Sequence, residues 1–218
     1  MRIGRACARA GRDPAAVTVL PISKSVGVER LRAAQAAGLE LFGENRVQEA
    51  EAKVGRLPGA RWHLVGRLQS NKAARAIELF EAVHSLDSVA LGRRLDDLVA
   101  RRGDGRRLPV YVQVNVDRDP SKAGLAPEDL ERALPHLSGL AGLELRGLMT
   151  VGRLVARPED ARPTFRRLRQ LAERLRSADP RLGDGLSMGM SDDFEVAAEE
   201  GATVVRIGRA IFGQRAVR

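Results

Sequence analysis

Hydrophobic positions along the chain switch repeatedly between short β-branched or aliphatic runs and longer stretches with a helical repeat. The short runs predict strands at 17–22, 39–42, 61–65, 81–85, 110–115, 143–149, 185–189 and 203–207. The longer stretches predict helices over 28–37, 45–56, 70–79, 88–101, 127–137, 158–177 and 192–200, and the opening segment reads as part of a further amphipathic helix. Gly38 and Gly201 directly follow two of these helices, where a left-handed residue closes the last turn. Ser191 predicts an N-cap, with Asp192 to Glu195 placed to complement the helix dipole.

Strand–helix alternation implies parallel strands, because these need crossover connections. Eight strands in 218 residues fit a single (β/α)8 TIM barrel better than an open doubly wound sheet. The open sheet would also want a GxGxxG fingerprint after its first strand, and none is there. No linker, low-complexity tract or repeat beyond the β/α unit divides the chain, so residues 1–218 are expected to form one domain.

With 44% apolar and 30% charged residues, the chain is globular in composition and long enough for its own core. One cysteine, Cys7, rules out an intrachain disulfide and a zinc-finger reading. No apolar run reaches membrane-span length, and the N-terminus lacks the apolar segment of a secretory signal, so a cytoplasmic protein is expected. The net charge of +9 raises nucleic-acid binding, but the arginines are interspersed with Glu and Asp on helical stretches. Aromatics are only 3%, too few for stacking platforms, so no specific nucleic-acid partner is expected.

A barrel places functional groups at the C-terminal ends of its strands. The first strand runs into Ser23-Lys24, and of the chain's 37 basic residues only Lys24, Lys53, Lys72 and Lys122 are lysines. A lysine at a strand end could cap the mouth or pair with a carboxylate; it is also the residue whose amine condenses with a carbonyl. Asn45 and Asn115 sit at other strand ends, and Met149 ends the sixth strand, where core packing is the ordinary role. Ser187 to Ser191 follow the seventh strand and Gly208-Arg209 the eighth, the loops that recurrently hold phosphate in this architecture. A lysine opposite a phosphate cup matches a phosphorylated aldehyde, of which pyridoxal 5′-phosphate (PLP) is one.

The stretches ISK (22–24), LFGENRVQEAEAK (41–53), WHLVGRLQSNK (62–72), VHSLDS (83–88), VQVNVDRDPSKAG (112–124), GLMTV (147–151), LSMGMSDDFEVA (186–197) and VVRIGRAIFGQR (204–215) together resemble the pyridoxal phosphate homeostasis protein family. The resemblance spans essentially the whole chain and implies a barrel similar to the N-terminal domain of alanine racemase. It implies that Lys24 forms the internal aldimine and that Ser191, Gly208 and the backbone at Arg209 hold phosphate. It further implies that Arg206 faces the pyridine nitrogen, with Asn45, His63 and Met149 around the ring and Ser187 supporting the loop. Lys122 is an accessory lysine without a derivable role. Two departures stand out: the family usually carries Thr where this chain has Arg209, whose guanidinium could pair with phosphate instead, and usually a longer first helix.

That resemblance favours a PLP carrier or regulator in vitamin B6 homeostasis, with PLP-dependent apoenzymes as candidate recipients. A racemase-like enzyme is the alternative, but racemization wants a proton carrier on each ring face. The only tyrosine, Tyr111, is expected toward the end of the barrel away from the mouth. Arginine opposite the pyridine nitrogen also weakens the electron sink. His63 and His84 lie near the ends of neighbouring strands and are expected to be hydrogen-bonded barrel residues rather than a metal site. Trp62 is expected to pack, His136 to follow a helix in an exposed position, and the barrel to be monomeric.

Overall fold

The computed structural model describes residues 2–213. Its aliphatic runs form β1 (Thr18–Pro21), β2 (Leu41–Glu44), β3 (Arg61–Leu64), β4 (Ala82–Leu86), β5 (Leu108–Gln113), β6 (Leu143–Met149), β7 (Gly185–Ser187) and β8 (Val204–Ile207). The helices are α1 (Arg2–Arg9), α2 (Val28–Ala36), α3 (Val47–Val54), α4 (Ala73–Leu79), α5 (Val89–Arg102), α6 (Pro127–Ser138), α7 (Arg162–Ala178), α8 (Phe194–Glu199) and α9 (Arg209–Phe212). All eight strands are parallel, in the order β1-β8-β7-β6-β5-β4-β3-β2, and an isolated bridge between Ile22 and Gly43 brings the two ends together. The expected TIM barrel is therefore the fold.

Closure between β1 and β2 is thin for a covalent reason. Thr18 and Ile22 donate their N–H groups to Thr203 and Ile207, on the β8 side. Alternation turns Val19, Pro21 and Ser23 toward β2, and proline has no N–H. Ser23 N–H donates across the seam to Gly43 O at 2.8 Å, at the Ile22–Gly43 bridge. Glycine leaves room there for the Ile22 side chain, whose Cδ1 would stand 2.5 Å from a Cβ on Gly43.

Several boundaries differ from the pattern-based expectation. The second strand starts at Leu41 rather than 39, because Leu39 N–H bonds back to Ala34 O at 3.1 Å and closes α2 behind left-handed Gly38. The helix after β7 starts at Phe194, and its cap position is Asp193 rather than Ser191. His136 lies in the last turn of α6, exposed as expected but inside the helix. The predicted helices at 70–79 and 158–177 each open with a 3-10 turn, Ser70–Lys72 and Pro158–Ala161.

The main core lies between sheet and helices and includes Phe42, Trp62, Phe165 and Leu171. Trp62 packs as expected, its ring 5.4 Å from that of Phe42. A smaller cluster, Leu20, Val65 and Val204 with Ile22, Leu41 and Tyr111, fills part of the barrel interior. The opening helix α1 buries Ala6 and Cys7 and lies along α8, tied by Arg2–Glu195 and Arg9–Glu199. Many remaining arginines meet carboxylates, as where Glu200 receives Arg162, Arg166 and Arg169. No helix among the described residues is long and apolar enough to cross a membrane.

Candidate cofactor site

Lys24 emerges directly above the β1–β2 seam, and the residues on either side of it are fixed. Ser23 is fully buried; its hydroxyl donates to Glu44 Oε1 at 2.8 Å. Lys53, reaching in from α3, donates to Ser23 O at 2.8 Å and to Glu44 Oε1 at 2.5 Å. The second carboxylate oxygen accepts Asn45 N–H at 2.8 Å. Ser25, in the left-handed region at φ 61°, donates its N–H to Glu49 Oε2 at 3.3 Å. Lys24 is half-buried and makes no ion pair among the described residues. It opens onto a cleft of about 1060 Å³ lined by Asn45, Arg46, Gly66, Gln69 and Lys72 among others. Gly66 lets the second and third loops meet there, since a Cβ would sit 2.2 Å from Asn45 O.

Inside the barrel, Arg206 is buried and spans three strands. Its Nη1 donates to Ser187 O at 2.7 Å and Ser187 Oγ at 2.9 Å, and its Nη2 donates to Thr150 O at 2.7 Å. Burial lowers its pKa to about 10, so the guanidinium stays charged at neutral pH. His84 Nδ1 lies 2.8 Å from Ser187 Oγ, and His84 Nε2 lies 3.0 Å from His63 Nδ1. Burial pushes His63 down to about 4, and burial with the neighbouring His63 pushes His84 well below its ordinary value. The two histidines are thus neutral, hydrogen-bonded barrel residues. Tyr111 stacks on His84 at 4.3 Å between ring centres, and its hydroxyl is influenced by Arg146, Asp184 and Glu144 near the strand starts. It therefore lies inside the barrel toward the end opposite Lys24.

The loops after β7 and β8 are shaped by two acids. Asp193 Oδ1 accepts Met190 N–H at 2.6 Å, turning the loop so that Ser191 has no side-chain partner among the described residues. Left-handed Gly189 permits close packing, since a Cβ there would lie 2.4 Å from that of Ala197. Arg209 pairs with Asp192 and ties the two loops together. The guanidinium that could pair with phosphate makes this exposed ion pair with the neighbouring loop. The backbone N–H groups of Ser191, Gly208 and Arg209 have no backbone acceptor among the described residues.

Of the residues singled out from sequence, Arg206 and Ser187 are in direct contact, and His63 joins them through His84. Lys24 and Asn45 share the cleft. Met149 ends β6, fully buried beside Ser187 in register, and Ser191, Gly208 and Arg209 lie on the two tied loops. Gln214 and Arg215, the end of the last matching stretch, lie outside the described residues. The buried Glu44–Lys53 pair was not foreseen, although the scarcity of lysine was a signal for it. A second cleft, about 620 Å³ between α6 and α7, shares none of these residues.

Comparison with known proteins agrees with this geometry. The family model described as alanine racemase, N-terminal domain, matches residues 7–216. The pyridoxal phosphate homeostasis protein of Pseudomonas aeruginosa is 45% identical over 218 residues, covering 98% of this chain and 91% of the relative. That of Aquifex aeolicus is 40% identical, covering 98% and 94%. The solved structure of PipY from Synechococcus elongatus with PLP bound is similar with a TM-score of 0.85 at 40% identity, covering 98% of this chain and all of that one. Alanine racemase from Corynebacterium glutamicum, at 17% identity and a TM-score of 0.70, shares the fold over 60% of its own length. With a homeostasis protein 45% identical along nearly its whole length, this chain belongs to the pyridoxal phosphate homeostasis protein family.

Proposed function

We propose that this chain binds PLP through Lys24 and serves as a carrier or regulator in intracellular vitamin B6 homeostasis. The observation that carries the reading is Lys24 itself: an amine without an ion pair among the described residues, set at the barrel mouth between two fixed residues, beside a cleft. The remaining residues fit the same molecule. Ser191 offers a hydroxyl, and the loops after β7 and β8 offer N–H groups, unclaimed among the described residues and suited to phosphate. Arg206 supplies a fixed positive charge in the wall, suited to a ring nitrogen kept unprotonated. Asn45, His63 and Met149 would border the ring, and Ser187 anchors Arg206.

PLP supplies an aldehyde, and the lysine amine supplies the nucleophile that holds it. Lys53 and Glu44 orient the backbone from which that amine projects. Arg206 keeps five N–H donors and no acceptor, so it cannot take up a proton as a base. Tyr111 lies below His84, toward the far end of the barrel, which supports a binder over a racemase. As a working unit we propose a single monomeric barrel in the cytoplasm, with PLP-dependent apoenzymes as recipients and no specific nucleic-acid partner.

The test is an absorbance spectrum of the protein mixed with PLP, beside Lys24→Ala, followed by borohydride reduction and peptide mapping. The expected result is a lysine-bound PLP band in the parent, absent in the variant, with the reduced label on Lys24. No band, or label spread over all four lysines, overturns the assignment. Exchange of amino-acid α-protons into solvent at enzymatic rates would favour the racemase alternative.

A further inference from the structure

Four polar side chains cross the barrel interior in single file: Arg206 from β8, Ser187 from β7, His84 from β4 and His63 from β3. Arg206 Nη1 stands 2.9 Å from Ser187 Oγ, Ser187 Oγ 2.8 Å from His84 Nδ1, and His84 Nε2 3.0 Å from His63 Nδ1. Distances alone leave the proton positions on the two rings undecided. The chemistry of the first link decides them. A guanidinium can only donate, so Ser187 Oγ accepts from Arg206. The hydroxyl has one proton of its own, and His84 Nδ1 is the acceptor within reach among the described residues. In the reverse order, with His84 Nδ1–H donating, that buried hydroxyl proton would have no acceptor.

We infer that Arg206, acting through Ser187 and His84, fixes both histidines as Nε2–H tautomers, so that His63 presents a hydrogen-bond donor to the ligand and is withheld as a base. Ser187 donates to His84 Nδ1, His84 Nε2–H donates to His63 Nδ1, and the proton of His63 stays on Nε2. No described residue accepts from that Nε2, and His63 is the one member of the file that keeps solvent exposure. Burial holds both rings in the neutral form this order requires. With Nδ1 already accepting, His63 can take up a proton only by breaking the file. The ligand group it suits is an acceptor oxygen, such as a ring phenolate; this part rests on the PLP reading, whereas the tautomers do not.

Long-range ¹H–¹⁵N correlation spectra of the full chain, labelled on histidine and recorded without PLP near neutral pH, test the order directly. His136 is exposed and serves as an internal contrast. Unprotonated Nδ1 and protonated Nε2 on both His63 and His84 are expected, and a proton on Nδ1 of either ring overturns the inference. Ser187→Ala should leave His84 and His63 with mixed tautomers, while Ser187→Thr restores the single form. Unchanged tautomers in folded Ser187→Ala would show that Ser187 does not set them. If that variant fails to fold, the parent spectrum and Ser187→Thr still decide the order. Adding PLP to the labelled parent should then shift His63 Nε2–H more than that of His84; no shift at His63 despite a lysine-bound PLP band overturns the donor role. Absence of that band instead counts against the binding assignment and leaves the tautomer result standing.

Discussion

Lys53 Nζ donates to the carbonyl oxygen of Ser23 at 2.8 Å, so a buried ammonium from α3 holds the peptide group that leads into Lys24. Its carboxylate partner, Glu44, is fully buried and also receives Ser23 Oγ and Asn45 N–H. Removing one member of a buried pair leaves the other charge uncompensated, a loss of about 3–5 kcal/mol. Lys53→Met is therefore expected to lower unfolding free energy by about that much, and Glu44→Gln/Lys53→Met to recover a substantial part. Urea unfolding of the two variants checks it; equal stability of the parent and Lys53→Met would refute the role.

Acid should weaken the fold before most carboxylates titrate. His63 is held down to about 4 and His84 well below its ordinary 6.5, both chiefly by burial. Above about pH 6.5 the folded and unfolded chains are alike in carrying neutral rings at these sites. As pH falls toward about 4, the unfolded chain takes up protons that the folded chain refuses, so stability falls. The slope is about 1.4 kcal/mol per pH unit for each buried histidine. Urea midpoints at about pH 7 and pH 5 measure it, and His63→Gln should reduce the slope. A midpoint that does not move over this interval would contradict the burial of neutral rings.

Asp193 shapes the loop that carries Ser191. Its carboxylate accepts Met190 N–H at 2.6 Å, and burial raises its pKa from the ordinary carboxylate value. Asp193→Ala should cost about 1–2 kcal/mol in stability, through an unpaired amide and a freed loop. PLP affinity should fall while the label remains on Lys24. Titration followed by absorbance separates the two effects, and unchanged affinity would remove Asp193 from the phosphate loop's support.

Arg209→Thr restores the residue usual in the family and releases Asp192. Both partners of the broken pair are about 60% exposed, so stability should change by less than about 1 kcal/mol. PLP binding should persist, because the backbone N–H at position 209 is retained. Loss of binding in this variant would make the Arg209–Asp192 tie a requirement of the site rather than a surface link.

The barrel was legible because eight aliphatic runs alternate with helical repeats, and the place of Lys24 at the barrel mouth because it directly follows the first of those runs. The missed details depend on geometry that spacing does not carry. Leu39 looks like a strand residue, yet its N–H is spent on closing α2. Ser191 looks like a cap, but Asp193 is nearer the helix and its carboxylate folds back on Met190. Glu44 and Lys53 become partners only when α3 packs back over β2. Arg209 meets Asp192 because the loops after the neighbouring strands β7 and β8 lie side by side at the barrel mouth.

Pro21 has a consequence for the chain before it is fully assembled. A nascent sheet that has added β8 to β1 exposes the opposite side of β1, where an unpaired strand commonly templates pairing with another molecule. The missing amide of Pro21 interrupts the donor row on that side, so β1 is a poor splint for a neighbouring chain. The same residue that leaves the finished seam thin protects the unfinished one from edge-to-edge aggregation.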